Sequence, residues 1–260
     1  MDQRKVIYYH DELNEEFSTT VIDPRRIDEA YVYDRHGPVR ALTRFFWYRI
    51  VAPLPALFYV KFSLHQKTVG RKLLRPFRKT GIYLYGNHTQ DIGDPLTPNI
   101  FCFPKPVSFI VHPNNVSMKA LGHITPTLGA IPLPDTMGAY RNFTKCIAGR
   151  ITRGHAVVIY PEAHIWPYYT HIRPFTQDSF VYPAKDGSPV FCFVNTYQAR
   201  KHRKTPRMVT YLDGPFYPDM SLPMRERAKD LRDRVYEKMC DLSHHSDIEV
   251  IRYIKADTQD

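Results

Sequence analysis

Several motifs of well-known enzyme classes are missing from this chain of 260 residues. It has no G-x-x-x-x-G-K-[ST], no G-x-G-x-x-G after a predicted strand and no G-x-S-x-G, which argues against P-loop, dinucleotide-binding and serine-hydrolase chemistry. The four cysteines form no C-x-x-C pair, so neither a zinc site nor a disulfide framework is expected. The twelve histidines lack metal-ligand spacing, which argues against a metal site.

Long apolar runs are also scarce. The mean hydropathy of −0.41 argues against a multi-span membrane protein. The first residues lack the charged-then-apolar pattern of a secretory signal, so we expect a reducing, cytoplasmic environment. Hydrophobic residues at 43% and aromatic residues at 13% suffice for a folded core, which excludes wholesale disorder. The length fits one domain with an appended segment.

Acidic residues are absent from one stretch of the chain. Residues 41–80 contain nine basic and no acidic side chains. Residues 1–40 contain six basic and nine acidic side chains, and residues 81–260 contain 21 basic and 17 acidic side chains. Nearly all of the net charge of +10 therefore comes from residues 41–80. Such a concentration of positive charge indicates an anionic partner.

The same stretch contains the most apolar run of the chain, FFWYRIVAPLPALFYV at 45–60. Arg49 interrupts this run and two prolines break it, so a membrane-spanning helix is not expected. Apolar and basic residues side by side are typical of a segment that lies in a membrane interface and contacts anionic headgroups. The alternative is a helical hairpin that packs on the core with a solvated basic face. Nucleic-acid binding is disfavoured because no motif for it is present.

From residue 81 onward, short apolar runs alternate with helical patterns. Strands are predicted at 81–86, 107–112, 127–134, 155–162, 189–197 and 207–217, and helices at 114–124, 140–154 and 224–243. This alternation predicts an α/β fold with a mostly parallel central sheet flanked by helices. We divide the chain into a polar lead-in (1–40), a basic amphipathic membrane-docking segment (41–80) and an α/β domain (81–260). Functional residues are expected where strands end.

The sequence NHTQDIGDP follows the predicted strand at 81–86. His88 has carboxylates three and six residues further on, at Asp91 and Asp94. A carboxylate that accepts a hydrogen bond from one ring nitrogen leaves the other nitrogen free to act as a base. The alternative is an ordinary cap, in which either aspartate begins a short helix.

Glu162 and Arg173 follow the predicted strand at 155–162. Glu162 could tie down backbone N–H groups, or it could form an active-site wall opposite His88. A buried carboxylate at this place needs partners, because an unpaired buried charge is costly. Arg173 could bind a phosphate with two hydrogen bonds, or it could be a surface residue.

Taken together, the motifs resemble those of the glycerolipid acyltransferase family, whose type members are 1-acylglycerol-3-phosphate acyltransferases. The resemblance covers about residues 80–200. It depends on four blocks in order, NHTQDIGDP, LGAIPLP, VVIYPEAHIWP and SPVFCFV. The order and spacing of the blocks are more specific than any one of them.

The chain departs from the family pattern in three of the four blocks. The family has four residues between His and Asp, and that spacing leads here to Gly93. We therefore assign the family aspartate to Asp94 with a one-residue insertion, and keep Asp91 as the alternative. The arginines of the second and third family blocks are also missing, and Arg141 or Arg173 could substitute for them.

The resemblance implies acyl transfer from acyl-CoA or acyl-carrier protein to the hydroxyl of a lysophospholipid, as in the conversion of 1-acylglycerol-3-phosphate to phosphatidic acid. It implies His88 as the base and Asp94 as its partner, with Asn87, Glu162, Arg173 and Arg141 binding substrate and no cofactor. The protein would sit peripherally on the cytoplasmic face of a membrane through residues 41–80. The alternatives are a lipid-binding relative without catalysis, and an acyltransferase for an amine or a phosphate-free acceptor.

Overall fold

The computed structural model describes residues 5–17, 23–34, 42–43, 45–47, 51, 53–119, 122 and 124–256. In chain order the strands are β1 (Lys5–Tyr9), β2 (Lys67–Val69), β3 (Ile82–Gly86), β4 (Val107–Val111), β5 (Ala130–Pro132), β6 (Ala156–Ile159), β7 (Val190–Arg200), β8 (Arg203–Phe216) and β9 (Ile251–Lys255). The α-helices are α1 (Pro53–Phe58), α2 (Gly93–Cys102), α3 (Asn114–Ser117), α4 (Met137–Thr152), α5 (Val181–Asp186) and α6 (Met224–Ser243). A π-helix (Tyr59–Ser63) follows α1, and two 3-10 helices cover Arg71–Phe77 and Asp178–Phe180.

Seven strands form the central sheet, in the order β2-β8-β7-β3-β6-β4-β5. Neighbouring strands are parallel except for β7 and β8, which form an antiparallel hairpin. The structure therefore confirms an α/β fold with a mostly parallel sheet. Strand β3 lies between β6 and β7, so residues that follow it share an edge of the sheet with the ends of both neighbours.

Both faces of the sheet are covered, which explains why β3 and β6 are buried along their whole length. One face packs against α4 and α6 through residues such as Phe143 and Leu231. The other face packs against α2 and the first 3-10 helix through Phe101 and Leu74. Gly86 ends β3 beneath the ring of Phe193, and an added Cβ there would lie 2.2 Å from a ring carbon.

Two predicted elements differ from the structure. The helix predicted at 114–124 ends at Ser117, because the backbone of Met118 is extended, with φ −57° and ψ 130°. The strand predicted at 127–134 covers only 130–132, because turns precede it and Gly129 adopts a left-handed φ of 104°. The helix predicted at 224–243 has the predicted bounds.

The described part of the lead-in contacts the rest of the fold. Strand β1 pairs in parallel with β9, and together they form a separate two-stranded sheet. Trp166, which follows β6, is fully buried and contacts the rings of Tyr9, Phe17 and Tyr253. Residues 5–17 thus cover the loop after β6. The division of the chain at residues 40 and 80 stays a prediction.

The basic segment is described in part, and Arg49 lies outside the described residues. Val60 and Leu64 are buried against Tyr197 and Met208 of the β7–β8 hairpin. The opposite surface of α1 and the π-helix exposes large apolar side chains, namely Leu54, Leu57, Phe58 and Phe62. The segment therefore packs on the domain through one face and leaves apolar side chains in solvent on the other. Among the described helices, none is long and apolar enough to cross a membrane. Membrane docking stays a prediction.

Candidate active site

The carboxyl edge of the sheet brings His88 and Asp94 together. His88 lies two residues beyond β3, and Asp94 lies in the first turn of α2. Nδ1 of His88 is 2.7 Å from Oδ2 of Asp94, and the Asp94 side chain is fully buried. The same carboxylate oxygen accepts hydrogen bonds from the backbone N–H groups of Thr89 (2.9 Å) and Gln90 (3.0 Å). The strand end and the helix start therefore hold this pair from both sides.

Asp91 is exposed in the turn between His88 and α2. Partial burial raises the pKa of the Asp91 carboxyl, the charges of Asp94 and Glu16 add to this effect, and His88 acts against it. No hydrogen bond joins Asp91 to His88 in the described structure. Of the two carboxylates that the sequence offered, Asp94 is the one in contact with the imidazole.

A buried polar network supports the second oxygen of Asp94. Nδ2 of Asn195, on β7, donates to Oδ1 of Asp94 at 3.1 Å. Oδ1 of Asn195 in turn accepts from the Thr210 hydroxyl of β8 at 2.7 Å. Gln66 Nε2 donates to the same hydroxyl at 3.0 Å. Three other N–H groups donate to the Asp94 carboxylate, and because an ionised carboxylate only accepts hydrogen bonds, we assign Nδ1 of His88 as the donor in their contact.

Asn87 joins β3 to β7 and does not line the candidate site. Its side chain is buried, with Oδ1 accepting from the Asn195 N–H at 2.8 Å and Nδ2 donating to the Asn195 carbonyl at 3.0 Å. Sequence reasoning did not identify Asn195. The only signal was a run of polar residues, Asn-Thr-Tyr, that continues an otherwise apolar strand.

The ring of Tyr160 stacks on the imidazole of His88. Their centroids are 4.5 Å apart, with an angle of 16° between the ring planes. The Tyr160 hydroxyl donates to the backbone carbonyl of Asp94 at 2.7 Å. Burial raises the pKa of Tyr160 well above its usual value, and the Asp94 charge adds to the effect. Tyr160 therefore remains a hydrogen-bond donor and holds the His88 ring against α2.

The other nitrogen of His88 is available for chemistry. The His88 side chain is 19% exposed, and within the described part of the chain no group bonds to its Nε2. Ile92 lies next to Gly93 at the start of α2 and exposes an apolar side chain. No group of three or more possible metal ligands occurs among the described residues. The arrangement can take a proton at Nε2 while Nδ1 is held by a carboxylate.

Glu162 is buried and binds backbone groups. Its Oε2 accepts the His88 N–H at 3.0 Å, and its Oε1 accepts the Arg173 N–H at 3.0 Å. Burial raises the pKa of the Glu162 carboxyl, while Arg173 and these two backbone donors act in the opposite direction. In this geometry Glu162 is a carboxylate that binds backbone N–H groups, which is the first of the two interpretations given by the sequence.

The guanidinium of Arg173 is also fully buried. Nη2 donates to the carbonyl oxygens of Glu162, at 3.2 Å, and of His164, while Nη1 donates to that of Glu12 at 3.2 Å. Nη2 lies 3.6 Å from Oε2 of Glu162, and the Trp166 ring packs 4.9 Å from the guanidinium carbon. In this arrangement Arg173 offers no surface to a phosphate. It joins the loop after β6 to the N-terminal segment.

Arg141 lies apart from His88. It is exposed on α4, near the N-terminal end of the helix that follows β5. Strand β5 is three strands away from β3, which corresponds to about 14 Å across the sheet. The structure therefore places His88, Asp94, Asn87 and Glu162 close together, buries the guanidinium of Arg173, and leaves Arg141 exposed on α4.

Comparison with known proteins adds one finding to this geometry. No protein-family model matches the sequence, and no curated protein matches it. The chain is similar to the crystal structure of the 1-acyl-sn-glycerophosphate acyltransferase PlsC from Thermotoga maritima, with a TM-score of 0.54 and 16% identity over 80% of this chain and 85% of that one. At this identity the similarity shows a shared fold. It confirms the fold that the resemblance of motifs implied.

Proposed function

We propose that this protein is an acyltransferase that transfers a fatty acyl chain from a thioester to the hydroxyl of a lysophospholipid. The observation that carries the proposal is the contact of 2.7 Å between His88 and a fully buried Asp94, with Nε2 of His88 left available. This pair lies at the carboxyl edge of a fold shared with a 1-acyl-sn-glycerophosphate acyltransferase. A histidine–carboxylate pair of this kind suits general-base chemistry.

The chemistry follows from the two ring nitrogens. Asp94 holds the proton on Nδ1, so Nε2 accepts the proton of the acceptor hydroxyl. The hydroxyl oxygen bonds to the thioester carbonyl carbon, the carbon–sulfur bond breaks, and the leaving thiolate receives the proton from Nε2. The products are an ester and a free thiol, whether the donor is acyl-CoA or acyl-carrier protein. General-base assistance of this kind contributes about 10²–10⁴ to the rate.

The surface near the candidate site supports work on a lipid substrate. Helix α1 packs against α2, the helix that carries Asp94, and exposes Leu54, Leu57 and Phe58. Exposed basic side chains follow in the same segment, namely Lys61, Lys67, Arg71, Lys72, Arg75, Arg78 and Lys79, of which Arg78 and Lys79 lie near the amino edge of the sheet, beside Gly154. Apolar side chains that insert into the interface, together with basic ones that contact headgroups, are two signals for stable peripheral binding. We propose that residues 41–80 hold the protein on the cytoplasmic face of a membrane.

The nature of the acceptor is a separate part of the proposal. Lysophosphatidate, giving phosphatidic acid, is our first candidate because the shared fold is that of an enzyme named for it. A phosphate-free or amine acceptor is the second candidate, because the guanidinium of Arg173 is buried and Arg141 is exposed on α4. A phosphate at this site would need a basic partner other than Arg173.

Thiol release from acyl-CoA or acyl-carrier protein by the purified protein in lipid tests the activity. The His88→Ala variant should lose transfer by at least about 10²-fold, because the base is gone. The matched control is His164→Ala, on the loop after the neighbouring strand, which should retain activity. Binding to lipid vesicles should be unchanged in both variants.

A panel of acceptors separates the alternatives. Lysophosphatidate, other lysophospholipids, phosphate-free monoacyl lipids and an amine acceptor are supplied one at a time with the same donor. Turnover with one class identifies the acceptor. Binding of the donor without thiol release in any mixture, or full activity of the His88→Ala variant, would overturn the proposal.

A further inference from the structure

The tip of the β7–β8 hairpin is a concentrated positive charge outside residues 41–80. Between Asp186 and Asp213 the chain has no acidic residue, and it has five Lys or Arg, all within residues 200–207. Over residues 81–260 as a whole, 21 basic and 17 acidic side chains nearly balance, which hides this cluster in a simple count. The five residues lie at the end of β7, in the two-residue turn that follows it, and within the first five residues of β8.

The hairpin extends beyond the sheet. Pairing of β7 with β3 ends at Phe193, and pairing of β8 with β2 covers Val209–Tyr211. From Tyr197 and Met208 to the last pair, Arg200 opposite Arg203, the two strands pair only with each other. Like charges directly opposite each other destabilise a hairpin. The pairing of Arg200 with Arg203 therefore does not stabilise this one, and the basic residues at its tip need another explanation. Lys201, Arg203 and Arg207 are exposed, and none of them forms an ion pair within the described structure.

One acidic side chain, Asp247, binds the backbone of the hairpin near its tip. The Asp247 carboxylate accepts the N–H of Ala199 at 2.6 Å. The Arg200 guanidinium contacts the hydroxyl of Thr205 at 3.4 Å. The positive charge of the tip therefore stays available to an anion from outside.

The tip lies on the same side of the sheet as His88. Strand β7 is parallel to β3, and Arg200 is five residues beyond Asn195, the residue that hydrogen bonds to Asp94. Five extended residues span about 17 Å. At the base of the hairpin, Tyr197 and Met208 pack against the buried face of the π-helix, whose opposite surface exposes Phe62. A basic tip thus stands beside an exposed apolar surface at the edge that carries the candidate site.

We propose that the tip of the β7–β8 hairpin binds anionic phospholipid headgroups and forms a second contact with the membrane, separate from residues 41–80. The occupant is a lipid surface because unpaired basic side chains and exposed apolar side chains occur together here. The tip stands next to the apolar surface that the π-helix exposes, and together they extend the membrane contact along the edge of the sheet that carries His88. The inference rests on the proposed function only in taking the substrate to be a membrane lipid. Binding of the tip to a membrane can be measured without turnover.

Vesicle binding of the full chain tests this contact. The tip variant carries Lys201→Gln, Arg203→Gln and Arg207→Gln. The control variant carries Lys185→Gln, Arg225→Gln and Lys229→Gln, which remove the same charge near the amino edge of the sheet, from exposed positions on α5 and α6. Both are compared with the wild type on vesicles of phosphatidylcholine containing phosphatidylglycerol, and on pure phosphatidylcholine. Circular dichroism and thermal unfolding confirm that each variant is folded.

The tip variant should bind the anionic vesicles about 10- to 100-fold more weakly than the wild type, while the control variant loses much less. The difference should shrink as salt is added, because headgroup attraction is screened. Equal binding of the two variants would overturn the proposal. So would a tip variant that binds vesicles normally but loses binding to nucleic acid or to an acidic carrier protein.

A second measurement separates this inference from the proposed function. With a short-chain, water-soluble acceptor the tip variant should transfer acyl groups at the wild-type rate, since the tip is outside the reacting groups. Absence of turnover in the wild type, together with normal vesicle binding that depends on the tip, would remove the proposed acyl transfer and leave the membrane contact standing. Loss of soluble-acceptor activity in the tip variant alone would contradict the assignment of the tip to membrane binding.

Discussion

Two histidines, on the loops that follow the neighbouring strands β3 and β6, each contact a carboxylate from elsewhere in the fold. The two pairs differ in distance and in burial. Nδ1 of His88 is 2.7 Å from Asp94, with side-chain exposures of 19% and 0%. Nδ1 of His164 is 3.4 Å from Glu16, with side-chain exposures of 34% and 37%. The sequence places His88 and Asp94 six residues apart, whereas only the fold brings Glu16 to His164. Only the first has a partner that solvent does not reach.

The difference shows what makes such a pair useful for catalysis. Asp94 is held by two backbone N–H groups and by Asn195, so the carboxylate has one orientation toward the imidazole. Glu16 accepts the N–H of Ile165 at 3.1 Å, and its side chain is 37% exposed. An exposed pair contributes little, because solvent screens it and both side chains lose freedom when they meet. We expect the first pair to govern chemistry and the second to attach the N-terminal segment.

Replacement of Asp94 tests this difference most strongly. The Asp94→Asn variant should lose about 10²–10⁴ in kcat, because an amide presents the wrong partner to Nδ1 and the base loses its tautomer. Steady-state thiol release measures the loss. Asp91→Asn and Glu16→Gln serve as controls and should stay within about twofold of the wild type. A loss in Asp91→Asn as large as in Asp94→Asn would transfer the partner role to Asp91.

The buried guanidinium of Arg173 should matter more for folding than for binding. Arg173→Met leaves Glu162 buried without its cationic neighbour, and the free energy of unfolding should fall by about 3–5 kcal/mol. Urea denaturation measures this change. The double variant Glu162→Gln with Arg173→Met should recover part of the loss, because neither charge is then left alone. A stable Arg173→Met variant with a raised KM only for phosphorylated acceptors would instead indicate that Arg173 binds phosphate.

The network behind Asp94 should affect the dependence of the rate on pH. Asn195→Asp replaces a donor by a second carboxyl group, and two carboxyl groups in contact tend to hold a proton between them. We expect about a tenfold lower kcat near neutral pH, and an acid limb of the pH–rate profile displaced to higher pH. Thr210→Val changes the network one step further from His88 and should leave the profile in place. An unchanged profile in Asn195→Asp would limit Asn195 to a role in folding.

The exposed pair should give the smallest effect. Glu16→Gln keeps an acceptor for the N–H of Ile165 and removes only the charge opposite His164. The free energy of unfolding should change by about 0.5 kcal/mol or less, as for other exposed pairs. Thermal unfolding at low and high salt measures it. A loss comparable with that of Arg173→Met would mean that the two pairs are not as different as their burial indicates.

Patterns of apolar residues predicted most of the sheet and the longest helix. Strands β3 and β6 are recognisable as short continuous apolar runs, and helix α6 is recognisable by its periodic apolar stripe. Both patterns can be read from residues that are close in sequence. Strands β1 and β9 were missed, because residues at opposite ends of the chain pair with each other. The basic hairpin tip was missed because charge was counted over residues 81–260 together. Neither the pairing nor the grouping of charges is a property of a local window.

At the candidate site, the residue types and the strand ends were readable from the sequence, and so was the choice of His88. The selection of Asp94 over Asp91, the support from Asn195 and the burial of Arg173 came from the tertiary structure. The reason is physical. Secondary structure follows from neighbours along the chain, whereas the environment of a charged side chain depends on residues brought from elsewhere. Asn195 is 101 positions from Asp94 along the chain, and Glu12 is 161 positions from Arg173.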